Sequence, residues 1–139
     1  MAVAVETVLF YADGKNVSCV TTAAVAAATF VAVSASRATT AVAPTLASNN
    51  ISVAPAGAGV AALGVAMYTQ ATVGAIVGVR FVSYGGVLGV IAGVGGVTFG
   101  QEVQSDATGQ AVTLAAGKSL GIALNTVAAG GIVQVALGR

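Results

Sequence analysis

Two stretches settle how this chain is read: Leu63-Gly64-Val65-Ala66-Met67 and Leu120-Gly121-Ile122-Ala123-Leu124. Each follows an Ala-Gly turn, Ala56-Gly57 in one case and Ala116-Gly117 in the other. Each is then followed, across a polar turn, by a second matching pair, Ala75-Ile76-Val77-Gly78-Val79 and Gly131-Ile132-Val133-Gln134-Val135. The order strand, loop, strand occurring twice describes a repeated β-hairpin. Gly64 and Gly121 fall at the same place inside a strand, where glycine costs stability. A cost incurred twice at one position implies a shared geometric need, a bulge or a close backbone approach.

Working outward, short Val-, Ile- and Thr-rich runs alternate with Gly, Asn and Asp signals along the whole chain. The expected strands are Thr7–Tyr11, Val17–Thr21, Thr29–Ser34, Ile51–Ala54, Ala62–Tyr68, Ile76–Ser83, Val87–Ile91, Glu102–Ser105, Ala111–Leu114, Leu120–Asn125 and Ile132–Leu137. Thr22–Ala28 is Ala-rich and could form one helical turn or two, but its neighbours read as strand, so its assignment stays open. A spacing near ten residues belongs to an all-β sandwich or barrel. The expected organisation is an N-terminal arm over residues 1–15 and a single β-rich domain over 16–139. The domain carries two similar C-terminal hairpins and a Ser/Thr/Ala-rich insertion at 35–50.

Composition narrows the function. Of 139 residues, 57% are apolar and only 6% charged, with net charge +1, against about 25% charged in an ordinary domain. The five cations, Lys15, Arg37, Arg80, Lys118 and Arg139, are scattered, so no basic face for nucleic acid is expected. So little charge cannot dress a free surface densely, which points to a component whose surface is partly covered by partners. There is no histidine and one cysteine, Cys19. That removes triad and imidazole-metal chemistry and an intrachain disulfide framework, so no catalytic, cofactor or metal residue is assigned. Glu102 and Asp106 could form a carboxylate pair, but Asp106 in Asp-Ala-Thr-Gly reads better as a turn cap. Ala115-Ala116-Gly117-Lys118-Ser119 imitates the end of a phosphate loop, yet Val112 replaces its first glycine and a strand, not a helix, follows.

Mean hydropathy is +0.97, which raises the membrane alternative. The two uncharged gaps, 38–79 and 81–101, are long enough to span a bilayer. The first is interrupted by Pro44, Asn49, Asn50, Ser52, Pro55 and Gln70, and the second by seven glycines. Poor helix propensity and the lack of flanking basic clusters argue against spanning helices.

The second half has a recognisable layout: Gly100-Gln101-Glu102-Val103, Asp106-Ala107-Thr108-Gly109-Gln110-Ala111-Val112, Ala115-Ala116-Gly117, Leu120-Gly121-Ile122-Ala123-Leu124 and Ala128–Leu137. It resembles the small bacteriophage capsid decoration, or cement, proteins over residues 50–139 and, more loosely, 16–35. It departs from them at Gln101-Glu102, where Gly-Asp is usual, and in the 35–50 insertion. The resemblance implies a structural virion protein, made in the host cytoplasm, that trimerises on the outer capsid surface and stabilises the shell by bridging subunits. Its partners would be the major capsid protein and further copies of itself, with no nucleic acid and no membrane. Capsid-docking candidates are Val3, Val5, Val8, Leu9 and Phe10 in the arm, and subunit-packing candidates are Gly85, Gly86, Gly89 and Gly93. Alternatives are a small membrane-inserting protein or another virion part, such as a tail or head-completion protein.

Overall fold

The computed structural model describes residues 16–36 and 50–138, and all statements below concern these. Ten strands form: β1 Asn16–Thr21, β2 Phe30–Ala35, β3 Ile51–Pro55, β4 Gly64–Ala66, β5 Ile76–Phe81, β6 Val87–Ile91, β7 Glu102–Ser105, β8 Ala111–Thr113, β9 Gly121–Ala123 and β10 Ile132–Leu137. The fold is all-β, with one 3-10 turn at Val82–Tyr84. Strands fall where stiff β-branched runs were read. β4 and β9 are shorter than expected, because Leu63, Met67, Leu120 and Leu124 lie outside the ladders. Thr22–Ala28 is turn and bridge rather than helix. The expected strand at Thr7–Tyr11 lies outside the described residues.

Residues 16–81 close into a five-stranded barrel of order β1-β3-β2-β4-β5, with β5 returning to β1. One pair, β1 with β3, is parallel; the rest are antiparallel. Inward positions alternate along the strands and fill the barrel with Val17, Cys19, Val31, Val53, Val77 and Val79. Small branched side chains suit this narrow interior, where one Leu or Phe in place of each Val would overpack it.

Residues 87–137 repeat that architecture strand for strand. The second sheet runs β6-β10-β9-β7-β8, the order β1-β5-β4-β2-β3 with each strand replaced by its successor in a duplicate. Register confirms the correspondence. Gly64 pairs with Phe81 and Gly121 with Leu137; Val31 pairs with Gly64 and Val103 with Gly121; Val33 pairs with Val53 and Ser105 with Ala111. Even isolated contacts recur: Val25 bridges Gln70, and Val97 bridges Val127. The Ala27 N–H donates to Thr69 Oγ1 at 3.1 Å, and the Phe99 N–H to Thr126 Oγ1 at 3.1 Å. A Cβ on Gly64 would overlap the Arg80 carbonyl oxygen, and one on Gly121 the Ala136 carbonyl oxygen. The twice-used glycine therefore permits close approach of the neighbouring strand.

The duplicates differ in closure. β1 and β3 pair over three positions, whereas β6 and β8 meet only at Ala92–Ala111. The first lobe fills the seam. The Ile91 N–H donates to the Ala28 carbonyl at 2.8 Å, and the Phe30 N–H to the Gly109 carbonyl at 2.7 Å. Phe30, fully buried, enters the second lobe's core beside Val90, Val103, Ala111, Leu120, Val133 and Val135, with Ala56 and Val65 alongside. Gly59 and Gly117 touch back to back nearby, with the Lys118 N–H on the Gly59 carbonyl. Wedge and glycine contact lock the lobes together.

Candidate interaction surface

Because both lobes share one backbone plan, positions that match in register but differ in chemistry are not dictated by the fold. Opposite residues of an antiparallel pair point to one face. On the outer face of the first lobe this gives Asn16 opposite Arg80 opposite Val65, then Ser18 opposite Gly78, then Val20 opposite Ile76. The same rows in the second lobe are Val87, Ala136 and Ile122, then Gly89 and Gln134, then Ile91 and Ile132. Leu124, next after the inward Ala123, joins this outer face, its N–H bonded to the Gln134 carbonyl. Polar Asn16 and Ser18 and charged Arg80 thus give way to valine, glycine and alanine. Val87, Leu124 and Ile132 are 54%, 49% and 50% exposed, so they contribute half their surface to solvent rather than to the core.

The loops at one end of the second lobe extend this chemistry. The Gly96 N–H closes a turn on the Gly93 carbonyl, with Gly95 at φ 90°, and lifts Val94 to 90% exposure. A second turn joins the Gln101 N–H to the Thr98 carbonyl, with Gly100 at φ 81°, and leaves Phe99 68% exposed. Positive φ at the third turn residue favours glycine, which is why each tip is followed by one. In the first lobe the residue matching Phe99 is Ala27. A free phenyl ring on a rigid turn costs solubility and supplies an anchor for a partner's pocket.

Elsewhere the polar groups serve the fold. Asp106 Oδ1 accepts from the Thr108 N–H at 2.8 Å, the Thr108 hydroxyl at 2.9 Å and the Gln110 N–H at 2.9 Å, so it caps its turn. Glu102 accepts from the Ser119 hydroxyl at 2.9 Å. Gln104 Oε1 takes the Ala115 and Gly117 N–H groups, so the loop resembling a phosphate cradle is occupied by its own chain. Cys19 is buried, and burial pushes its thiol up to about 12. Among the described residues no cluster of His, Cys, Asp and Glu forms a metal site, and no helix is long and apolar enough to cross a membrane.

The glycines singled out for subunit packing have partners within the chain. Gly93 is buried against Asp106 and Val112, and Gly89 lies beneath Ile132. Gly85 and Gly86, at φ 67° and 89°, make the sharp link between lobes. Val3, Val5, Val8, Leu9 and Phe10 lie outside the described residues. The outer apolar face was not read from sequence, since alternation shows two faces of a strand without showing which one the core takes.

No protein-family model matches the chain, and no curated protein matches its sequence. Its architecture does have a counterpart among solved structures. The head fiber gp8.5 N base of bacteriophage phi29 aligns with a TM-score of 0.67 at 18% identity, over 88% of this chain and 92% of that one. The two chains share a fold.

Proposed function

We propose that this chain is a structural virion protein of a bacteriophage that binds the outer face of the capsid and stabilises the shell by bridging its subunits. The observation that carries the reading is the near-complete architectural match to a phage head fiber base. The sparse charge and the exposed apolar face of the second lobe support it. The function is then mechanical. The loop end carrying Val94 and Phe99, with Leu124 and Ile132 behind it, buries apolar surface against the shell at about 25 cal/mol per Å². Trimerisation multiplies several weak contacts into firm attachment, and the exposed Gly86 next to Gly85 is the point where subunits can approach closely. The outer capsid surface, the trimer and the major capsid protein as partner all belong to this proposal.

A second reading is favoured by the same match: the chain is the base that seats a fibre on the head rather than a free-standing cement module. Both place it on the virion, and both use the second lobe as the seat.

The test is co-sedimentation with undecorated shells of the phage that encodes the chain. The chain is expected to pellet with shells, and the Val94→Ser, Phe99→Ser double variant to bind at least about tenfold more weakly, the loss of one buried aromatic anchor. No co-sedimentation, or unaltered binding by the variant, contradicts the proposal. Negative-stain images of decorated shells separate the readings, a low knob marking a cement module and a projecting filament a fibre base.

A further inference from the structure

A half-open hollow of about 160 Å³ lies between the first lobe and β6. The first lobe lines it with Ala27, Ala28, Val65, Ala66 and Met67, and β6 closes it with Leu88. In the second lobe the matching residues are Phe99, Gly100, Ile122, Ala123 and Leu124. An alanine thus walls the hollow at the position where the other lobe raises a phenyl ring. An apolar space of about 150 Å³ takes a benzene ring, so this one admits a single aromatic side chain. Within one chain Phe99 stays 68% exposed and the hollow stays open, so the fit is made only between copies.

Charge complements the shapes. Arg80 pairs with Val65 across the ladder, so its side chain leaves the sheet on the same face as Val65. Its Nε is buried with no hydrogen-bond partner, and a buried cationic group without a counter-charge is costly. On the second lobe, Glu102 pairs with Ile122 on the outer face. It follows Phe99 by three residues, a reach of up to about 10 Å. Glu102 holds the Ser119 hydroxyl, and a carboxylate accepts several donors at once. One lobe therefore offers a hollow with a cation nearby, and the other a phenyl ring with a carboxylate nearby.

We propose that, off the shell, the Phe99 turn of one copy docks in the first-lobe hollow of a second copy, with Glu102 on that copy's Arg80. Different patches meet in this contact, so copies add head to tail. The inference rests on the reading of the end carrying Val94 and Phe99 as a docking surface, and it adds a regulation of that surface. One ring cannot serve two partners, so shell and free copies compete for Phe99. Self-contact covers the ring in the free chain, which is spared an exposed apolar patch, and the shell displaces it.

Sedimentation equilibrium on the full chain tests this. So small a contact holds weakly, with a dissociation constant on the order of 0.1–1 mM, and the average mass should rise between about 20 µM and 1 mM chain. Phe99→Ser should weaken association at least about tenfold. Ala27→Phe, which fills the hollow with the second lobe's own residue, should do the same. Met67→Glu, at a wall residue 41% exposed, repeats the block without filling the hollow with a ring. Arg80→Gln and Glu102→Gln should each weaken association about two- to fivefold. Circular dichroism reports that each variant keeps its strands. Shells separate the two uses of the ring: Ala27→Phe should bind them as the unaltered chain does, and Phe99→Ser more weakly. A mass that stays at one chain throughout, or association indifferent to Phe99→Ser or to both hollow variants, overturns the assignment. Loss of shell binding by folded Ala27→Phe overturns it too, because hollow and shell seat would then be one surface. A single-chain mass with intact shell co-sedimentation leaves the proposed function standing.

Discussion

The two lobes are the same drawing executed in different materials. The first is a closed barrel with a polar outer row at Asn16, Ser18 and Arg80; the second is an open one with Val87, Gly89 and Ala136 at those places. Whatever both lobes keep is required by the fold: the strand-interior glycine, the bridge between loops, and the threonine hydroxyl that caps a neighbouring loop. Whatever only one lobe has is free to serve something else. By that criterion the seam, the wedge at Phe30 and the apolar outer face of the second lobe are its specialisations.

The comparison breaks most visibly at the shared glycines. Gly64→Val and Gly121→Val each drive a side chain into a backbone carbonyl, and each should cost about 4 kcal/mol or more, enough to prevent folding of either lobe. Denaturant melts of the two variants should be similar; a harmless valine at either site would show that the duplicates are not equivalent there. Phe30→Ala removes the wedge from the seam and should cost about 3–5 kcal/mol. Because that ring sits in the second lobe's core while its backbone belongs to the first, amides in β6 and β8 should lose protection along with those in β2.

Cys19 corresponds in register to Val90, and here the lobes differ in titration. The buried thiol holds its proton to about 12 against 9.0 for an ordinary one. Between those values the unfolded chain is deprotonated while the folded chain is not. Stability is therefore full below pH 9 and falls as pH rises beyond it, by at most about 1.4 kcal/mol per pH unit. Urea melts from pH 7 to 10.5 should show this decline, and Cys19→Val, which copies the second lobe, should flatten it. A smaller effect is expected at the matched turn residues Ala28 and Gly100, at φ 59° and 81°. Ala28→Gly should stabilise by about 0.5–1 kcal/mol and Gly100→Ala should destabilise by about as much, because a left-handed backbone penalises a Cβ.

Much of this was legible in sequence for a physical reason. Strands show through their β-branched runs and turns through glycine, so β6, β7 and β10 were bounded to the residue. The hairpin repeat was legible because backbone contact at Gly64 and Gly121 leaves no choice of side chain. The rest of the duplication was not. Its inward positions accept any small apolar residue, so Cys19 corresponds to Val90 and Val53 to Ala111 with no identity to notice. Between paired positions the first copy runs from Val33 to Val53 and the second only from Ser105 to Ala111, which shifts the offset between copies from 72 residues at Val31–Val103 to 58 at Val53–Ala111. The interaction surface was hidden for another reason: Val87 and Val90 look alike in sequence, and alternation does not say which of them the core receives.

The central claim is that the second lobe seats the chain on a phage head, and a cryo-electron microscopy map of shells incubated with the chain tests it most directly. The account predicts density for two joined barrels on the outer surface, with the Val94 and Phe99 turns of the second lobe against the shell. Bare shells, or barrels seated through the polar row of Asn16, Ser18 and Arg80, would contradict it.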